Sequence, residues 1–582
     1  MNNNTFIESF RNLLPHIAAK RKNQLLMLLI LTVFVGILEM LSIASVVPLV
    51  KSMTDENFAN KIIEILKFAS INDQKEVIII TGLFFSILTL VNSFSRCLLI
   101  YITSRLSNII TAELNVKIYK AKLYDSYSNH IRQNSSSIIS AVTQKVFQIT
   151  LTLSSIINFI SGMFIFMCLM TILIWINPFV MLICSSFFGM LYIALILIGK
   201  KNLKRNSAIV NEEQNNIVKN LQNGLGAIRD IILDRTQDFY LSIFQKANFK
   251  LARKQALIEF IQNSPRYLFE GLGIIFFVIL LIYWSRSHTD LIGFSKIFPT
   301  LAALAIGSQR MLPLLNNLYV NFAIIKSNTY QISEIVNILN GESIKQQEKN
   351  LKLKKRVIDF KTLISFRNVY FSYSSNKKYI LEDVNFEIKK GSRVGIVGKT
   401  GEGKSTFLDL LMGLLEPDSG GIYIDGAKLS YETINSWQSK ISHVPQKIFL
   451  SDTSFLENIA FGKTIEAIDL KKAELVSKKS QIHEFIGQLE KGYDEKVGER
   501  GVKLSGGQIQ RIGLARALYK DAEIIIFDEA TNSLDTYTEK LVMKELNSLD
   551  KNLTIIIVAH RLNTLSECDV IFEIKNKKVY KL

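Results

Sequence analysis

Long apolar stretches alternate with long polar ones through the first half of the chain. The apolar stretches lie near residues 24–50, 77–103, 151–176, 179–199, 266–284 and 293–325. Each reaches the ~17–25 residues that a helix needs to cross a bilayer. The pattern therefore predicts six membrane-spanning helices. Asn177 and Pro178 separate the third stretch from the fourth, which predicts a very short loop and an antiparallel helical pair.

Two of the polar segments are long enough to form extended helical hairpins. Segments 104–150 and 200–255 are compatible with helix, and the second is rich in Lys and Arg. Positively charged connections stay on the cytoplasmic side, so both segments and both chain termini are expected in the cytoplasm. At ~1.5 Å per residue, hairpins of this length would project roughly 35–40 Å from the membrane.

A shorter polar segment, residues 51–76, lies on the opposite side by the same reasoning. Its sequence FANKIIEILKFA predicts an amphipathic helix, either lying on the outer membrane surface or packed as a lid on the span ends. The apolar face of this helix would consist of Phe58, Ile62, Ile65, Leu66 and Ala69.

The pattern changes from about residue 328, where the apolar stretches stop. A charged stretch, KQQEKNLKLKKR at 345–356, is followed by short β-rich runs that alternate with helical ones. This order predicts an α/β domain with a largely parallel sheet, because its strands read as buried apolar runs. We therefore expect an all-α membrane domain at 1–327, a linker at 328–359 and an α/β domain at 360–582.

Composition agrees with a membrane protein. The 582 residues are 48% hydrophobic, with a mean hydropathy of +0.22 and a formal net charge of +18. The excess of positive charge follows from the positive-inside bias, so it does not call for a nucleic-acid partner. The four cysteines have no CxxC or Cys/His spacing, so neither a metal site nor a disulfide framework is indicated. The N-terminus lacks a short apolar core with a cleavage site, so the first span is expected to be retained.

A phosphate-binding loop is the first chemical motif of the second half. The stretch GKTGEGKS at 398–405 matches G-x-x-x-x-G-K-[ST] and lies between the strand-like RVGIV and the helix-like TFLDLLMGLL. In such a loop glycines turn backbone N–H groups toward phosphate oxygens, the lysine supplies charge, and the serine is a Mg²⁺ ligand. The nucleotide-binding residues of this loop are Gly398, Gly401, Gly403, Lys404, Ser405 and Thr406.

Two further motifs accompany the loop. The apolar strand IIIFDEA ends in Asp528 and Glu529, an arrangement in which the first carboxylate holds Mg²⁺ and the second polarises a water. The stretch LSGGQ precedes a helix-like run, so Ser505, Gly506, Gly507 and Gln508 form a second anion site at a helix N-terminus.

Together these motifs resemble the nucleotide-binding domain of ATP-binding cassette (ABC) proteins over about residues 360–582. The resemblance implies that Tyr373 stacks on adenine, that Gln446 senses Mg²⁺ together with Ser405 and Asp528, and that His560 is the switch for the γ-phosphate. It also assigns Asp535 to the dimer loop and Glu499 to a contact with cytoplasmic helices. Ser533 after Asn532 is a mild departure from the usual TSALD. The implied catalytic residues are Glu529, His560 and Gln446, and the implied cofactors are ATP and Mg²⁺.

Six spans followed by one P-loop cassette resemble half of an ABC exporter. In that family the LSGGQ signature closes over the γ-phosphate held by the opposite subunit, so one chain cannot form a complete pair of sites. A homodimer of identical chains in the bacterial cytoplasmic membrane is therefore expected. The resemblance also implies that the turns near 125–140 and 222–240 are coupling helices that dock on the cassette near Gln446.

Arginines within the apolar stretches raise a question about the cargo. Arg96, Arg266 and Arg310 lie in the second, fifth and sixth stretches. An arginine costs ~2.5–3.5 kcal/mol at a span centre and cannot deprotonate, so these side chains should face a water-filled interior. Glu270, one turn from Arg266, offers a local ion pair. No acidic residue is near Arg96 or Arg310 in sequence, so an anionic phosphate or pyrophosphate in a cavity is the expected compensation.

The membrane half also resembles the PglK-type lipid-linked oligosaccharide flippases of bacterial N-glycosylation. The similar segments are PRYLFEGLG, the arginine before LLI, and RMLP. The resemblance implies that the arginines line a substrate cavity and handle a pyrophosphate-linked saccharide on a polyprenyl lipid. Two alternatives stay open: export of another cargo, such as a phospholipid, a peptide or a drug, and a membrane regulator that the cassette only gates.

Overall fold

The computed structural model describes residues 6–54, 58, 62, 73–176, 178–287, 311, 313–341, 356–373, 378–529, 541, 544, 552–559 and 565–582. The chain divides into two compact units. The first consists of Met1–Asp125 and Gln133–Lys345, and the second of Ser126–Arg132 and Gln346–Leu582.

The first unit is helical. In chain order the helices are α1 (Phe6–Leu13), α2 (Ala19–Ala44), α3 (Val46–Thr54), α4 (Gln74–Leu123), α5 (Tyr127–Arg132, part of the second unit), α6 (Ser135–Ser140), α7 (Val146–Ile176), α8 (Pro178–Gly226), α9 (Ile228–Leu233), α10 (Gln237–Ser287) and α11 (Thr329–Leu339). A π-helical turn, Ala141–Lys145, joins α6 to α7.

Three helical stretches in the described part of the chain are long and apolar enough to cross a membrane. They are Ala19–Met53, Gln74–Leu123 and Ser136–Thr171; the first two contain the first two predicted spans, and the last contains residues 151–171 of the third. The predicted spans at 179–199 and 266–284 lie within the continuous helices α8 and α10. Most of the sixth, from 293 to 310, lies outside the described residues, and residues 313–327 are helical. The count of six therefore stays a prediction.

Most of the predicted outer helix also lies outside the described residues, because only 51–54, 58, 62 and 73–76 of that segment are described. The first part of the predicted linker is helical. Its residues Thr329–Leu339 form α11, whose apolar face is buried in the core of the first unit. Ile332, Ile335 and Val336 supply this face.

A line of hydrogen bonds joins the first two spans and sets their antiparallel register. From one end to the other it pairs Ser52 with Thr81, Ser42 with Thr89, and Arg21 with Glu113. On α4, Asn92 and Thr103 are buried, whereas Leu90 and Phe94 are largely exposed. This is the distribution expected of a helix in lipid, where polar groups must be satisfied between helices.

A second buried polar cluster links three elements of the same unit. Lys145, the last residue of the π turn, is fully buried, and its Nζ lies 2.6 Å from Oε1 of Glu334 on α11. Asn211 of α8 donates to the other oxygen of that carboxylate at 3.4 Å. Because a buried ammonium is costly without a counter-ion, this pair fixes α11 against the π turn.

The second unit is an α/β fold with an antiparallel extension. Its further elements are β1 (Leu363–Phe371), β2 (Leu381–Lys389), β3 (Arg393–Val397), α12 (Lys404–Leu411), β4 (Ser419–Ile424), β5 (Ala427–Lys428), α13 (Ile434–Ser439), β6 (Ile441–Val444), α14 (Phe455–Ile459), α15 (Leu470–Lys479), α16 (His483–Gly487), α17 (Gly506–Tyr519), β7 (Ile524–Asp528), β8 (Thr554–Val558), β9 (Val570–Lys575) and β10 (Lys578–Lys581).

The main sheet has the strand order β10-β9-β3-β8-β7-β6, and all its neighbours are parallel except β10 with β9. This confirms the largely parallel sheet that the buried apolar strands predict. A smaller antiparallel sheet has the order β2-β1-β4-β5. The carboxyl ends of β3 and β7 lie on the same edge of the main sheet, which brings the loops after them together.

Candidate nucleotide site

The phosphate loop occupies the turn between β3 and α12. Gly403 is the N-cap of α12 with φ 101°, and Gly401 has φ 88°, a left-handed conformation that residues with a Cβ seldom adopt. A Cβ on Gly398 would lie 2.6 Å from the carbonyl oxygen of Ile574. The spacing of the glycines is therefore required by the backbone path of the loop, and in loops of this kind N–H groups turn toward a bound phosphate.

Lys404 lies over this loop. Its side chain is buried, and Nζ donates to the carbonyl oxygens of Gly398 at 2.7 Å and Lys399 at 3.2 Å. The ammonium group of Lys404 would donate to phosphate oxygens in the same way as it donates to these two carbonyl oxygens. Ser405, which follows Lys404, is exposed at the start of the helix, where a hydroxyl can reach a metal ion.

Asp528 and Glu529 follow each other at the end of β7. Asp528 pairs in register with Val558 of the neighbouring strand β8, so its position is set by the sheet. Glu529 leaves the strand with φ 52°, and its N–H donates to the carbonyl oxygen of Val558 at 3.0 Å. Gln446, which lies after β6, donates from Nε2 to Oε2 of Glu529 at 2.7 Å. The two loops after β6 and β7 are thus joined at the predicted catalytic carboxylate.

The residues present fit a Mg²⁺ ion held mainly by phosphate. Mg²⁺ is commonly bound by one or two carboxylates together with substrate phosphates and waters. Asp528, Ser405 and Gln446 supply one carboxylate, one hydroxyl and one amide. Within the described ranges no group of three His, Cys, Asp or Glu side chains could hold a metal ion by itself, so phosphate oxygens would have to complete the coordination. Burial, and then the charge of Asp528, raises the pKa of Asp409 on α12 to about 6. A cation at this position would lower the repulsion between the two carboxylates.

The signature stretch forms a capped helix start. Oγ of Ser505 accepts from the N–H of Gln508 at 3.2 Å, and the side chain of Gln508 accepts from the N–H of Ser505 at 2.8 Å. This reciprocal cap begins α17, a helix of 14 residues. The arrangement presents Gly506 and Gly507 at a helix N-terminus, as the sequence predicts for an anion site.

The short helix α5 belongs to the second unit and lies beside the nucleotide site. Arg132 donates to the carbonyl oxygen of Tyr373, and the hydroxyl group of Tyr373 lies 3.2 Å from that of Thr406 in α12. Burial, and then the charges of Asp409 and Tyr373, raises the pKa of Tyr127 in α5. Part of the predicted 125–140 coupling segment is therefore joined to the cassette through Tyr373, whereas its predicted docking partner, Gln446, bonds to Glu529.

Several predicted site residues lie outside the described part of the chain. These are His560, Asp535 and Arg310. Their predicted roles stay predictions, as does the docking of the segment 222–240.

Two of the three arginines of the apolar stretches are described, and both have an acidic partner. Arg266 is exposed and lies 2.9 Å from Oε1 of Glu270, which is the local pair that the sequence offered. Nε of Arg96 lies 3.0 Å from Oε2 of Glu39, a fully buried carboxylate in α2. The sequence predicts an anion in a cavity as the compensation for Arg96; the structure shows a protein counter-ion in the preceding span, which proximity in sequence does not reveal.

Sequence reasoning did not identify Glu39, Asp409 and Arg132, and the sequence signals that could have revealed them differ. Glu39 is an acidic residue inside an apolar stretch, and such residues are expected to have a partner in a neighbouring helix. Asp409 and Arg132 give no comparable signal, because helical positions next to a motif are often charged for solubility alone.

Comparisons with known proteins agree with the geometry. Residues 381–532 match the family model for the ABC transporter. The chain is 34% identical over 301 residues to the alpha-hemolysin translocation ATP-binding protein HlyB of Escherichia coli O157:H7, covering 51% of this chain and 41% of the relative. It is 30% identical over 384 residues to the ATP-dependent lipid A-core flippase of Salmonella typhimurium, covering 63% and 64%. The chain thus spans less than two thirds of the length of either relative.

A solved structure extends the comparison to the whole chain. The structure of a bacterial Atm1-family ABC exporter with ATP bound superposes with a TM-score of 0.76 at 21% identity, covering 96% of this chain and 94% of the other. The fold of the chain is therefore that of an ABC exporter, with a helical N-terminal membrane domain and a C-terminal nucleotide-binding domain.

Proposed function

We propose that this chain, which has an ABC transporter ATP-binding domain and the fold of an ABC exporter, uses ATP hydrolysis to flip a lipid-linked saccharide across the bacterial cytoplasmic membrane. The hydrolytic part rests on one observation above the others, the 2.7 Å bond between Gln446 and Glu529 at the end of β7. It joins the proposed metal ligand to the proposed water-polarising carboxylate, beside the phosphate loop.

Each residue of the site has a definite task in this proposal. Lys404 and the loop N–H groups bind the β- and γ-phosphates, and Tyr373 stacks on the adenine. Ser405, Asp528 and Gln446 would hold Mg²⁺, which would neutralise charge on the transferred phosphoryl group. Glu529 accepts a proton from the attacking water and orients it. His560 contacts the γ-phosphate.

The proposed active form is a homodimer. One chain has one phosphate loop and one signature stretch. Ser505 and the two glycines after it would act on the γ-phosphate that the partner holds, since an anion at a helix N-terminus is stabilised by N–H groups and the helix dipole. Asp535 would contact the partner near the same interface.

The charged pair inside the first two spans supports a lipid cargo with an anionic headgroup. Glu39 is fully buried, whereas 38% of the Arg96 side chain is exposed. A charged residue within a span is a functional site by default, because its desolvation is costly. The exposed guanidinium suits phosphate oxygens, which it can bind with two parallel hydrogen bonds. Arg266 and Arg310 are proposed to line the same cavity.

Protein export is the second candidate, and it is favoured by the relatives that are named for the translocation of alpha-hemolysin and of toxin RTX-I. Their identity to this chain is similar to that of the lipid A-core flippase. Because the named cargoes differ while the identity does not, the shared part is best explained by the ATP-driven machinery. Export of a polypeptide predicts that the intramembrane arginines are dispensable.

The test is transport of defined fluorescent lipids in proteoliposomes with and without Mg-ATP. Suitable cargoes are a polyprenyl-pyrophosphate saccharide, a polyprenyl-monophosphate saccharide and a phospholipid, with Glu529→Gln as the inactive control. ATP-dependent movement of the pyrophosphate-linked saccharide above the phospholipid supports the proposal. Turnover of ATP without movement of any lipid would contradict it and favour the protein-export or regulator alternatives.

A further inference from the structure

Glu39 is a fully buried carboxylate at the seam between α2 and α4. Its Oε2 accepts from Nδ2 of Asn92 at 2.7 Å and lies 3.0 Å from Nε of Arg96. Asn92 and Arg96 are four residues apart, so they lie on the same face of α4. The hydrogen bond from Asn92 therefore fixes one carboxylate oxygen, and the ion pair with that oxygen holds the guanidinium group.

The Arg96 side chain is only partly enclosed in this pair. Oε2 of Glu39 lies on the Nε side of the guanidinium group, and 38% of the Arg96 side chain is exposed. One end of the pair is fully buried and the other is partly exposed. A guanidinium held at Nε presents its terminal nitrogens in a fixed direction, which reduces the entropy lost when a phosphate group binds them.

From this geometry we infer that Glu39 is the positioning residue for Arg96 and sets the affinity of the membrane site for anionic lipid headgroups. The inference rests on the proposed function, which it deepens. Glu39 anchors the guanidinium in a binding direction and keeps the resting pair neutral. Its negative charge also opposes a bound anionic headgroup, so that the headgroup is released after transport.

Two substitutions at Glu39 separate anchoring from charge. Asn92 and Arg96 both lie at the same oxygen, so the amide oxygen of Glu39→Gln can still accept from Asn92 and lie beside Nε of Arg96 while the negative charge is lost. This variant should lower the apparent KM for the lipid by on the order of threefold or more, because a like charge beside the headgroup is removed. Its turnover should fall because release slows. Glu39→Ala removes the anchor as well and should raise KM by about tenfold.

The first experiment tests the pair without any cargo. Thermal unfolding of the full chain in detergent is measured for Glu39→Gln, Arg96→Gln and the double variant. The inference requires coupling: the loss of Tm in the double variant is smaller than the sum of the two single losses. Additive losses would overturn it.

The second experiment measures KM and turnover for ATP-dependent flipping of a fluorescent polyprenyl-pyrophosphate saccharide. The matched control is Glu113→Gln, which removes the negative charge of the Arg21–Glu113 pair between the same two helices. If the Glu39–Arg96 pair contributes to stability alone, the Glu39 variants should behave like this control, with a lowered Tm and an unchanged KM. That result would overturn the inference, and opposite KM shifts in Glu39→Gln and Glu39→Ala would support it.

The two experiments also separate this inference from the proposed function. If the wild-type protein moves none of the anionic lipids while it hydrolyses ATP, the proposed function fails. The thermal unfolding of the single and double variants then still shows whether Glu39 and Arg96 are coupled, but the role of Glu39 in headgroup affinity is rejected.

Discussion

Replacement of Glu529 by Gln should nearly abolish ATP hydrolysis while ATP binding persists. The substitution removes the carboxylate that would accept a proton from the attacking water, and it leaves Lys404 and Asp528 in place. Gln446 donates to Oε2 of Glu529, and an amide oxygen at the same position can still accept that bond. The geometry of the loop after β6 should therefore survive the change.

The expected loss of rate follows from the role of Glu529 as a general base and from its hydrogen bond with Gln446. A positioned general base contributes typically ~10²–10⁴ in rate, which corresponds to ~3–5.5 kcal/mol of transition-state stabilisation. Exchange of a charged for a neutral acceptor weakens the Gln446 bond from ~1.5–3 to ~0.5–1.5 kcal/mol. Turnover should therefore fall at least about a hundredfold. The dissociation constant for Mg-ATP should change by less than about threefold, because the residue does not hold the phosphates.

The assay is steady-state phosphate release from the purified protein in nanodiscs, with fluorescent nucleotide binding measured on the same samples. Glu490→Gln is the matched control, since Glu490 is an exposed carboxylate in the same unit. Its activity should equal that of the wild type. If Glu529→Gln hydrolyses ATP at a rate within tenfold of the wild type, the assignment of Glu529 as the water-polarising residue is refuted.

Three further predictions concern other parts of the chain. Glu334→Gln should lower the stability of the first unit by about 3 kcal/mol because it leaves the buried Lys145 ammonium without its counter-ion, and the double change with Lys145→Met should recover most of the loss of Tm. Burial alone would raise the pKa of Asp425, but hydrogen bonds from the Thr362 hydroxyl and three backbone N–H groups lower it from 3.8 to about 2. Since the folded-state pKa is depressed, the stabilisation exists above about pH 4 and is lost as the pH falls toward 2, so the Tm deficit of Asp425→Asn should shrink between pH 5 and pH 3. Tyr373→Phe should bind Mg-ATP within about threefold of the wild type, whereas Tyr373→Ala should bind at least about fivefold more weakly, because the first loses only a hydroxyl contact and the second loses the stacking ring.

The local backbone geometry of the phosphate loop and of the signature stretch was predictable from sequence because each motif is local. The glycines of the phosphate loop, Lys404 and Ser405 are consecutive or nearly so, and their chemistry depends on one strand–turn–helix unit. The reciprocal cap of Ser505 and Gln508 likewise needs only four residues. Apolar strands of five or six residues predicted a parallel sheet for the same reason, since burial on both faces leaves a continuous apolar run.

Membrane helices were predictable as helices, because a stretch of about twenty apolar residues has no other stable way to satisfy its backbone in lipid. Their ends were less predictable. The helices α8 and α10 continue for 49 and 51 residues, far beyond the apolar stretches, because the polar continuation packs as helix as well. Hydropathy detects where lipid contact stops and does not detect where the helix stops.

The pairings between distant residues were decided by the tertiary structure alone. Glu39 with Arg96, Lys145 with Glu334 and Arg132 with Tyr373 each join elements that are far apart in the chain. Their side chains meet only after helices have packed in one register, and a shift of one residue would turn a partner to another face. Sequence determined which charged groups had to be compensated, because a buried charge is costly wherever it lies. The packing of the helices decided which group compensates each one, because an ion pair depends on a distance that no local pattern contains.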